Sequence, residues 1–189
     1  MRILVNASPR TGATTFINWL SKELDLKVIN EPFNPNHTNI KELQNSFYTN
    51  KHIIAKITGG ECFNTSKKEW DFIIGLTRES LDECAESYTK AMLENKSKEE
   101  WHTPYIIDET WINKHKPEID LYKAYILEQN NYIFSNKEID FYITYEEIYF
   151  GNTKIKELEL LLNTKFKYTK YLDLSKKYRK ITNKKSYLI

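Results

Sequence analysis

Hydroxyl, basic and glycine residues are concentrated in a bend near the start of the chain, at residues 8–15, which read Ser-Pro-Arg-Thr-Gly-Ala-Thr-Thr. A short apolar run at residues 3–5 precedes the bend, and apolar residues at helical spacing follow it as far as Leu20. A strand, a tight loop and a helix in this order present several backbone N–H groups at a helix N-terminus, and such groups bind phosphate. We therefore expect function to begin with an anionic ligand held in this bend.

A basic residue and a hydroxyl residue, Arg78 and Ser87, also follow a second apolar stretch. This stretch, residues 70–77, contains Phe-Ile-Ile-Gly-Leu. Such a continuous run is typical of a strand covered on both faces. Arg78 comes directly after it, and Ser87 lies on the helix predicted next. The planar guanidinium of arginine suits bidentate phosphate binding, to which a serine hydroxyl adds one contact. The alternative is an ordinary salt bridge for Arg78 and a solvated helix face for Ser87.

The bend departs from the nucleotide-kinase P-loop, G-x-x-x-x-G-K-[ST]. Aligning Gly12 with the second glycine of that motif puts Ala7 at the first glycine and Ala13 at the lysine. The lysine that reaches the β- and γ-phosphates is therefore missing. The second apolar stretch ends in Thr77-Arg78, where a magnesium-binding aspartate is expected in a kinase. These departures weigh against ATP-dependent phosphoryl transfer without excluding it.

Strand-like and helix-like segments alternate along the chain and predict an α/β fold, with helices in layers on both sides of a mostly parallel sheet. The predicted strands are residues 2–6, 26–29, 52–57, 70–77 and 140–144, and the predicted helices are residues 13–24, 41–48, 80–95, 117–130 and 155–162. Ser80 and Glu83 have the spacing of a capping box. The polar residues 96–110 are expected to form a loop. No repeat or linker divides the chain, so one domain over residues 1–189 is predicted.

Composition narrows the class of protein. The net charge of +2 gives no global reason to expect a nucleic-acid partner, although six basic residues and no acid lie beyond residue 175. The two cysteines lack metal-ligand spacing and the four histidines are scattered, so no metal site is expected. No apolar run has the length of a membrane span, and the chain enters its first strand directly, so we expect a cytoplasmic protein without a signal peptide.

The bend resembles the 5′-phosphosulfate loop of sulfotransferases that use 3′-phosphoadenosine 5′-phosphosulfate (PAPS), where the pattern is P-[KR]-[ST]-G-[ST]-T. Here it reads Pro-Arg-Thr-Gly-Ala-Thr, and Ala13 alone departs. Arg78 and Ser87 resemble the family's 3′-phosphate signature. Their spacing is one residue longer than in cytosolic animal enzymes and is similar to that of bacterial relatives of the trehalose-sulfotransferase kind. The resemblance implies a P-loop-type sulfotransferase fold.

The resemblance also assigns roles to residues. It implies that the donor PAPS is bound without a metal by a set of loop, helix and C-terminal residues: Arg10, Thr11, Gly12, Ala13, Thr14, Thr15, Arg78, Ser87, Lys177 and Arg179. Arg10 is expected to help neutralise the leaving phosphate. Lys56, which is similar to the family's lysine at the end of a strand, is a second catalytic cation.

A base must remove the proton of the acceptor hydroxyl. Cytosolic animal enzymes have a histidine two residues after the strand lysine, but Thr58 occupies that position here. Glu31, in Glu-Pro-Phe after the second strand, matches the glutamate that takes this role in several bacterial and carbohydrate sulfotransferases, and a partner for Arg10 or a surface carboxylate is the alternative. His37 is the second candidate for the base, after Glu31.

The predicted function is sulfuryl transfer from PAPS to a small-molecule or carbohydrate acceptor, with no nucleic-acid partner and no membrane span. Two other functions stay open. One is a P-loop kinase or nucleotide phosphotransferase that has lost its lysine, and the other is a non-catalytic nucleotide-binding relative. The residues leave the acceptor and the oligomeric state undefined.

Overall fold

The computed structural model describes residues 1–58, 67–94, 107–150 and 153–167. Its five strands are β1 (Arg2–Ala7), β2 (Lys27–Asn30), β3 (Ile53–Thr58), β4 (Phe72–Thr77) and β5 (Phe141–Thr144). Its seven α-helices are α1 (Ala13–Leu24), α2 (Ile40–Thr49), α3 (Leu81–Leu93), α4 (Glu109–Lys114), α5 (Lys116–Ser135), α6 (Tyr145–Phe150) and α7 (Thr153–Leu161). A short 3-10 helix, Lys67–Glu69, precedes β4.

The strands form one sheet in the order β2-β3-β1-β4-β5, and every pairing is parallel. Ala7, the last residue of β1, pairs with Thr58 of β3 and Leu76 of β4. The carboxyl ends of these three strands therefore lie at the same edge of the sheet. The chain passes from β1 toward β2 on one side and from β4 toward β5 on the other, and ligands bind at such a reversal of direction.

Apolar residues from alternate positions of β1 enter two separate cores. Ile3, Val5 and Ala7 pack with α1, α6 and α7 on one face of the sheet. Leu4 packs on the other face with residues of α2 and α5, among them Phe47 and Ile133. Covering both faces explains why the strands are continuous apolar runs. The α/β class, the layers of helices and the parallel sheet are thus confirmed.

Two helices were not predicted from the sequence. Residues 109–110, placed in a polar loop, begin α4, which Asp108 caps by accepting a hydrogen bond from the N–H of Trp111 at 2.8 Å. Residues 96–106 of that predicted loop lie outside the described residues, and residues 107 and 108 precede α4. Helix α6 follows β5 with no intervening residue, so no turn signal marks its start.

Within the described ranges, no helix combines the length and the apolar character needed to cross a bilayer. The same part of the chain has no group of three or more histidine, cysteine or acidic side chains placed to hold a metal ion.

Candidate functional site

The bend predicted to bind phosphate connects β1 to α1 at the edge where β1, β3 and β4 end. The N–H of Ser8 donates to the carbonyl of Leu76 at 3.1 Å, and Thr11 Oγ1 donates to the carbonyl of Ser8 at 2.9 Å. Arg10 and Gly12 both have left-handed backbones, with φ of 61° and 70°. Helix α1 starts at Ala13 without a side-chain cap at Gly12. The bend thus delivers the N-terminus of a twelve-residue helix to the edge of the sheet, as an anion site requires.

Gly12 lies against helix α6. A Cβ atom at this position would stand 3.1 Å from Tyr145 Cδ2 and 3.1 Å from the Tyr149 hydroxyl oxygen. The glycine is therefore needed both for its left-handed φ and for the close approach of these two rings, whose centroids are 4.2 Å apart.

Replacing Gly12 with alanine is expected to lower the free energy of unfolding by about 1–2 kcal/mol, because a Cβ atom strains a left-handed backbone. We expect the binding of PAPS, which the sequence predicts, to weaken as well, since the bend must shift away from α6. Asn163 has a φ of 48° far from the bend in sequence, and Asn163→Ala is the matched control. Urea unfolding and nucleotide titration of both variants test this. Unaltered nucleotide affinity in Gly12→Ala would contradict it.

Helix α3 contacts the bend at two successive residues. Arg10 Nε donates to Ser87 Oγ at 2.9 Å, and Cys84 Sγ donates to the carbonyl of Pro9 at 2.8 Å. The structure thus brings together Arg10 and Ser87, which the sequence assigned to two different phosphate contacts. Burial raises the pKa of the Cys84 thiol to about 12, against the lowering effect of the charges on Arg78 and Arg10. Cys84 is therefore a protonated hydrogen-bond donor rather than a nucleophile.

Arg78 stands at the carboxyl end of β4 between two carboxylates. Its Nη2 pairs with Glu83, its Nε lies 3.6 Å from Glu146 Oε1, and its guanidinium carbon lies 4.6 Å from the centre of the Tyr145 ring. The side chain is 15% exposed. An anion that binds Arg78 must therefore compete with Glu83 and Glu146, which the spacing of Arg78 and Ser87 did not indicate.

The predicted capping box at the start of α3 is wrong. Ser80 is the residue before the helix, but its side chain makes no capping hydrogen bond, and Glu83 pairs with Arg78 instead. The carboxylate of Glu146 accepts from the backbone N–H of Glu79 at 2.9 Å and from that of Ser80 at 3.5 Å. Glu146 of α6 therefore accepts hydrogen bonds from the amide groups that precede α3. It takes the place that Glu83 would have in a capping box.

Glu31 and Lys56 form an ion pair at the ends of the neighbouring strands β2 and β3. Lys56 Nζ lies 2.8 Å from Glu31 Oε1, and the lysine side chain is only 7% exposed. Thr58 Oγ1 donates to Glu31 Oε1 at 2.6 Å, and Asn34 Nδ2 donates to Oε2 at 2.9 Å. The partner of Glu31 is therefore Lys56 rather than Arg10.

The pKa of Glu31 reflects this environment. Burial raises it, but the charge of Lys56 and the hydrogen bonds from Lys56, Thr58 and Asn34 outweigh burial and lower the pKa to about 2. Glu31 is consequently ionised at neutral pH, and its basicity is low as long as Lys56 stays bound to it.

Lys56 also connects Glu31 to the bend. Its Nζ donates to Thr14 Oγ1 at 3.0 Å, in the first turn of α1. The strand register explains this reach. Lys56 pairs with Val5, whose side chain packs on the face of the sheet covered by α1, so Lys56 points to the same face. Glu31, Lys56 and Thr14 thus form one hydrogen-bonded chain.

The remaining predicted site residues lie on α1, in the loop after Glu31 or outside the described residues. Ala13 is buried and Thr15 is exposed on α1. His37 lies in the loop after Glu31, where its backbone N–H donates to the carbonyl of Asn34 at 3.1 Å. Lys177 and Arg179 lie outside the described residues. The sequence analysis missed α6, although two glutamates directly after a strand, at positions 146 and 147, are typical of a helix first turn.

No protein-family model and no curated protein matches the chain. Among solved structures, mouse sulfotransferase SULT7A1 complexed with PAP is similar, with a TM-score of 0.57 and 14% identity, over 94% of this chain and 63% of that one. The Bacillus subtilis YorR protein in complex with phosphorylated GDP matches with a TM-score of 0.47 and 14% identity, over 86% of this chain and 96% of the other.

The parallel sheet and the likeness to the mouse sulfotransferase place the chain in the class of α/β proteins with a P-loop-type, sulfotransferase-like fold. The chain spans 63% of the length of the mouse sulfotransferase. At 14% identity the likeness concerns the fold, and the chemistry depends on the residues of the site.

Proposed function

We propose that this protein is a sulfotransferase that moves a sulfuryl group from PAPS to a hydroxyl of a small-molecule or carbohydrate acceptor. The observation that carries the proposal is the contact between the two predicted phosphate-binding sets, in which Arg10 Nε donates to Ser87 Oγ at 2.9 Å. A nucleotide with phosphates on both its 5′ and 3′ oxygens needs two anion sites on one side of the fold. Cys84, on the same helix as Ser87, donates to the carbonyl of Pro9 in the bend, and Arg78 lies between β4 and that helix.

The residues present fit such a donor. Ser8 Oγ, in a residue that is 1% exposed, has no hydrogen-bond partner in the described part of the chain. A buried hydroxyl without a partner is costly, by about 1–3 kcal/mol, and a phosphate oxygen at the bend would offset that cost. The N-terminus of α1, Arg10 and Thr14 would hold the 5′-phosphate, while Arg78 and Ser87 would hold the 3′-phosphate. PAPS supplies the activated sulfuryl group.

Lys56 supports metal-free chemistry. In the kinase motif, the hydroxyl residue that corresponds to Thr14 binds Mg²⁺. Here Thr14 Oγ1 accepts a hydrogen bond from Lys56 Nζ, so an ammonium group fixed by the fold occupies the neighbourhood of that hydroxyl. A buried, positioned cation can stabilise charge that develops on a leaving phosphate. This arrangement favours the sulfotransferase function over the kinase alternative.

Glu31 is the base in this proposal. The bond between sulfur and the oxygen of the donor's 5′-phosphate breaks as the acceptor oxygen bonds to sulfur. The electron pair of the broken bond goes to the phosphate, and the acceptor proton goes to Glu31. Lys56 can turn toward an anion on the bend only by weakening its 2.8 Å ion pair with Glu31. The pKa of Glu31 would then rise from about 2, because burial would no longer be opposed as strongly.

A metal-free binding titration tests the donor site. We expect 3′-phosphoadenosine 5′-phosphate (PAP) to bind at least tenfold more tightly than ADP in the presence of EDTA, because the two charge-assisted contacts at the 3′ site are lost with ADP. Preference for ATP with Mg²⁺ would favour the kinase function instead. Absence of binding by any of these nucleotides would refute both functions.

A further inference from the structure

The carboxylate of Glu31 contacts three donors, which are divided unequally between its two oxygens. Oε1 lies 2.8 Å from Lys56 Nζ and accepts from Thr58 Oγ1 at 2.6 Å, whereas Oε2 accepts from Asn34 Nδ2 at 2.9 Å. Each oxygen of a carboxylate has about two lone-pair positions. Among the described residues, donors therefore fill both positions of Oε1 and only one position of Oε2.

The backbone of Glu31 is held as firmly as its side chain. Its φ of 49° lies in the left-handed region, which is strained for a residue with a side chain. Its N–H donates to the carbonyl of Lys56 at 2.8 Å, and its carbonyl accepts from the N–H of Asn34 at 3.1 Å. The ring of Phe33 packs edge-to-face on that of Phe47, with centroids 5.1 Å apart, and anchors this turn in the core. Such strain persists only where the surroundings fix it, and it is concentrated at functional sites.

The two neutral donors to the carboxylate come from different elements. Asn34 lies in the loop after Glu31, and its Oδ1 accepts from the backbone N–H of Asn36 at 3.0 Å. Because a backbone N–H can only donate, the NH₂ group of Asn34 has to face Glu31. Thr58 lies two residues after Lys56 on β3, so both side chains leave the same face of the sheet. The loop thus holds Oε2, and the strand holds Oε1.

We infer that Asn34 and Thr58 are positioning residues that direct Glu31 to take the proton of the acceptor hydroxyl on Oε2. This inference rests on the sulfotransferase function proposed above. As the acceptor oxygen bonds to sulfur, its proton passes to Oε2, and the bond from sulfur to the 5′-phosphate oxygen breaks with its electron pair on the phosphate. Water takes the proton from Oε2 afterwards. The Glu31 side chain is 23% exposed, so a ligand can reach this carboxylate from outside.

The two positioning contacts are needed most when Lys56 turns toward an anion on the bend and its ion pair with Glu31 weakens. The last side-chain torsion of a glutamate has a broad range of values when nothing restricts it. With Thr58 on Oε1 and Asn34 on Oε2, that rotation stays restricted and the open position of Oε2 keeps its direction. Loss of either contact should therefore slow the chemical step without weakening donor binding.

The test combines each positioning variant with Glu31→Gln. Thr58→Val removes the donor to Oε1, and Asn34→Asp keeps an acceptor for the N–H of Asn36 but loses the donor to Oε2. We expect each to lower kcat by about tenfold, with the KM for PAPS and the affinity for PAP near their wild-type values. Thr58→Ser keeps the hydroxyl and should keep most of the kcat. In the Glu31→Gln background neither change should lower kcat further, because both act through the Glu31 carboxylate.

Thr49→Val is the matched control. Thr49 Oγ1 donates to the carbonyl of Asn45 at 2.8 Å on α2, so the variant loses a threonine hydroxyl that does not contact Glu31. Its kcat should equal that of the wild type. The acceptor probes are 4-nitrophenol and the methyl glycosides of glucose, galactose and N-acetylglucosamine.

Two results would overturn the positioning role. One is an equal loss of kcat with and without the Glu31 carboxylate, and the other is wild-type kcat in both Thr58→Val and Asn34→Asp. Failure of the wild type to bind PAP, or to sulfate any of the probes, would instead refute the proposed function on which the inference rests.

Discussion

Replacement of Arg78 by alanine is expected to weaken PAP binding by about 100-fold, because one or two charge-assisted hydrogen bonds of about 1.5–3 kcal/mol each are lost. ADP lacks the 3′-phosphate, and its affinity should change little. The preference for PAP over ADP should therefore disappear. Calorimetric titration of both nucleotides without metal gives the two affinities directly.

Two further variants separate this effect from general damage to the fold. Arg2 donates to the carbonyl of Phe47 at 2.8 Å and stacks on Trp70, so Arg2→Ala removes an equally engaged arginine that touches no proposed phosphate contact. Its PAP preference should be intact. Glu83→Gln removes a carboxylate that competes for Arg78, and PAP should bind this variant more tightly than the wild type. Equal weakening of PAP and ADP in Arg78→Ala would contradict a 3′-phosphate role.

Replacement of Glu31 by glutamine is expected to lower kcat by about 100- to 10,000-fold, the range typical of a lost general base. The affinity for PAP should stay within a few-fold of the wild-type value, because glutamine can still accept a hydrogen bond from Lys56. Steady-state sulfation kinetics with PAPS, paired with PAP titration, distinguish the two effects. Wild-type turnover in the variant would remove Glu31 from the mechanism.

His37→Gln is the control for this prediction, since His37 lies in the same loop and is the reserve base. It should keep near-wild-type kcat.

The pH dependence gives a second readout. A base must be deprotonated to act, and the pKa of Glu31 in the free enzyme is about 2. Between pH 5 and pH 8, kcat/KM should therefore show no acidic limb due to Glu31, whereas a histidine base would reduce it as pH falls through about 6.5.

The parts of the site that rest on local spacing were predictable from sequence. The bounds of α1 were predicted as Ala13–Leu24 and are confirmed, because apolar residues recur at helical spacing after Gly12. The bend itself follows from a glycine between a buried strand and that helix. Placing Lys56 on a strand was also within reach, because β3 is an apolar run that the lysine interrupts.

The partners of these residues depend on contacts between distant parts of the chain, which local patterns do not encode. Glu83 is spaced to cap α3, yet Arg78 offers a stronger, charged partner. Glu146 satisfies the N–H of Glu79, 67 residues away, only because β5 lies beside β4 and α6 follows it. Which carboxylate pairs with Lys56 likewise depends on β2 being the neighbour of β3, which the order of strands in the sequence does not reveal.

The two contacts between α3 and the bend limit which sequence changes this chain can tolerate. Cys84 and Ser87 hold Pro9 and Arg10, and they are three residues apart on one helix. Each residue of an α-helix advances the direction of its side chain by about 100°. An insertion or deletion of a single residue between positions 84 and 87 would therefore turn one of the two contacts to another side of α3. The site therefore depends on the spacing of these two residues along α3. Substitutions elsewhere on the helix are compatible with both contacts, whereas an insertion or deletion between positions 84 and 87 is not.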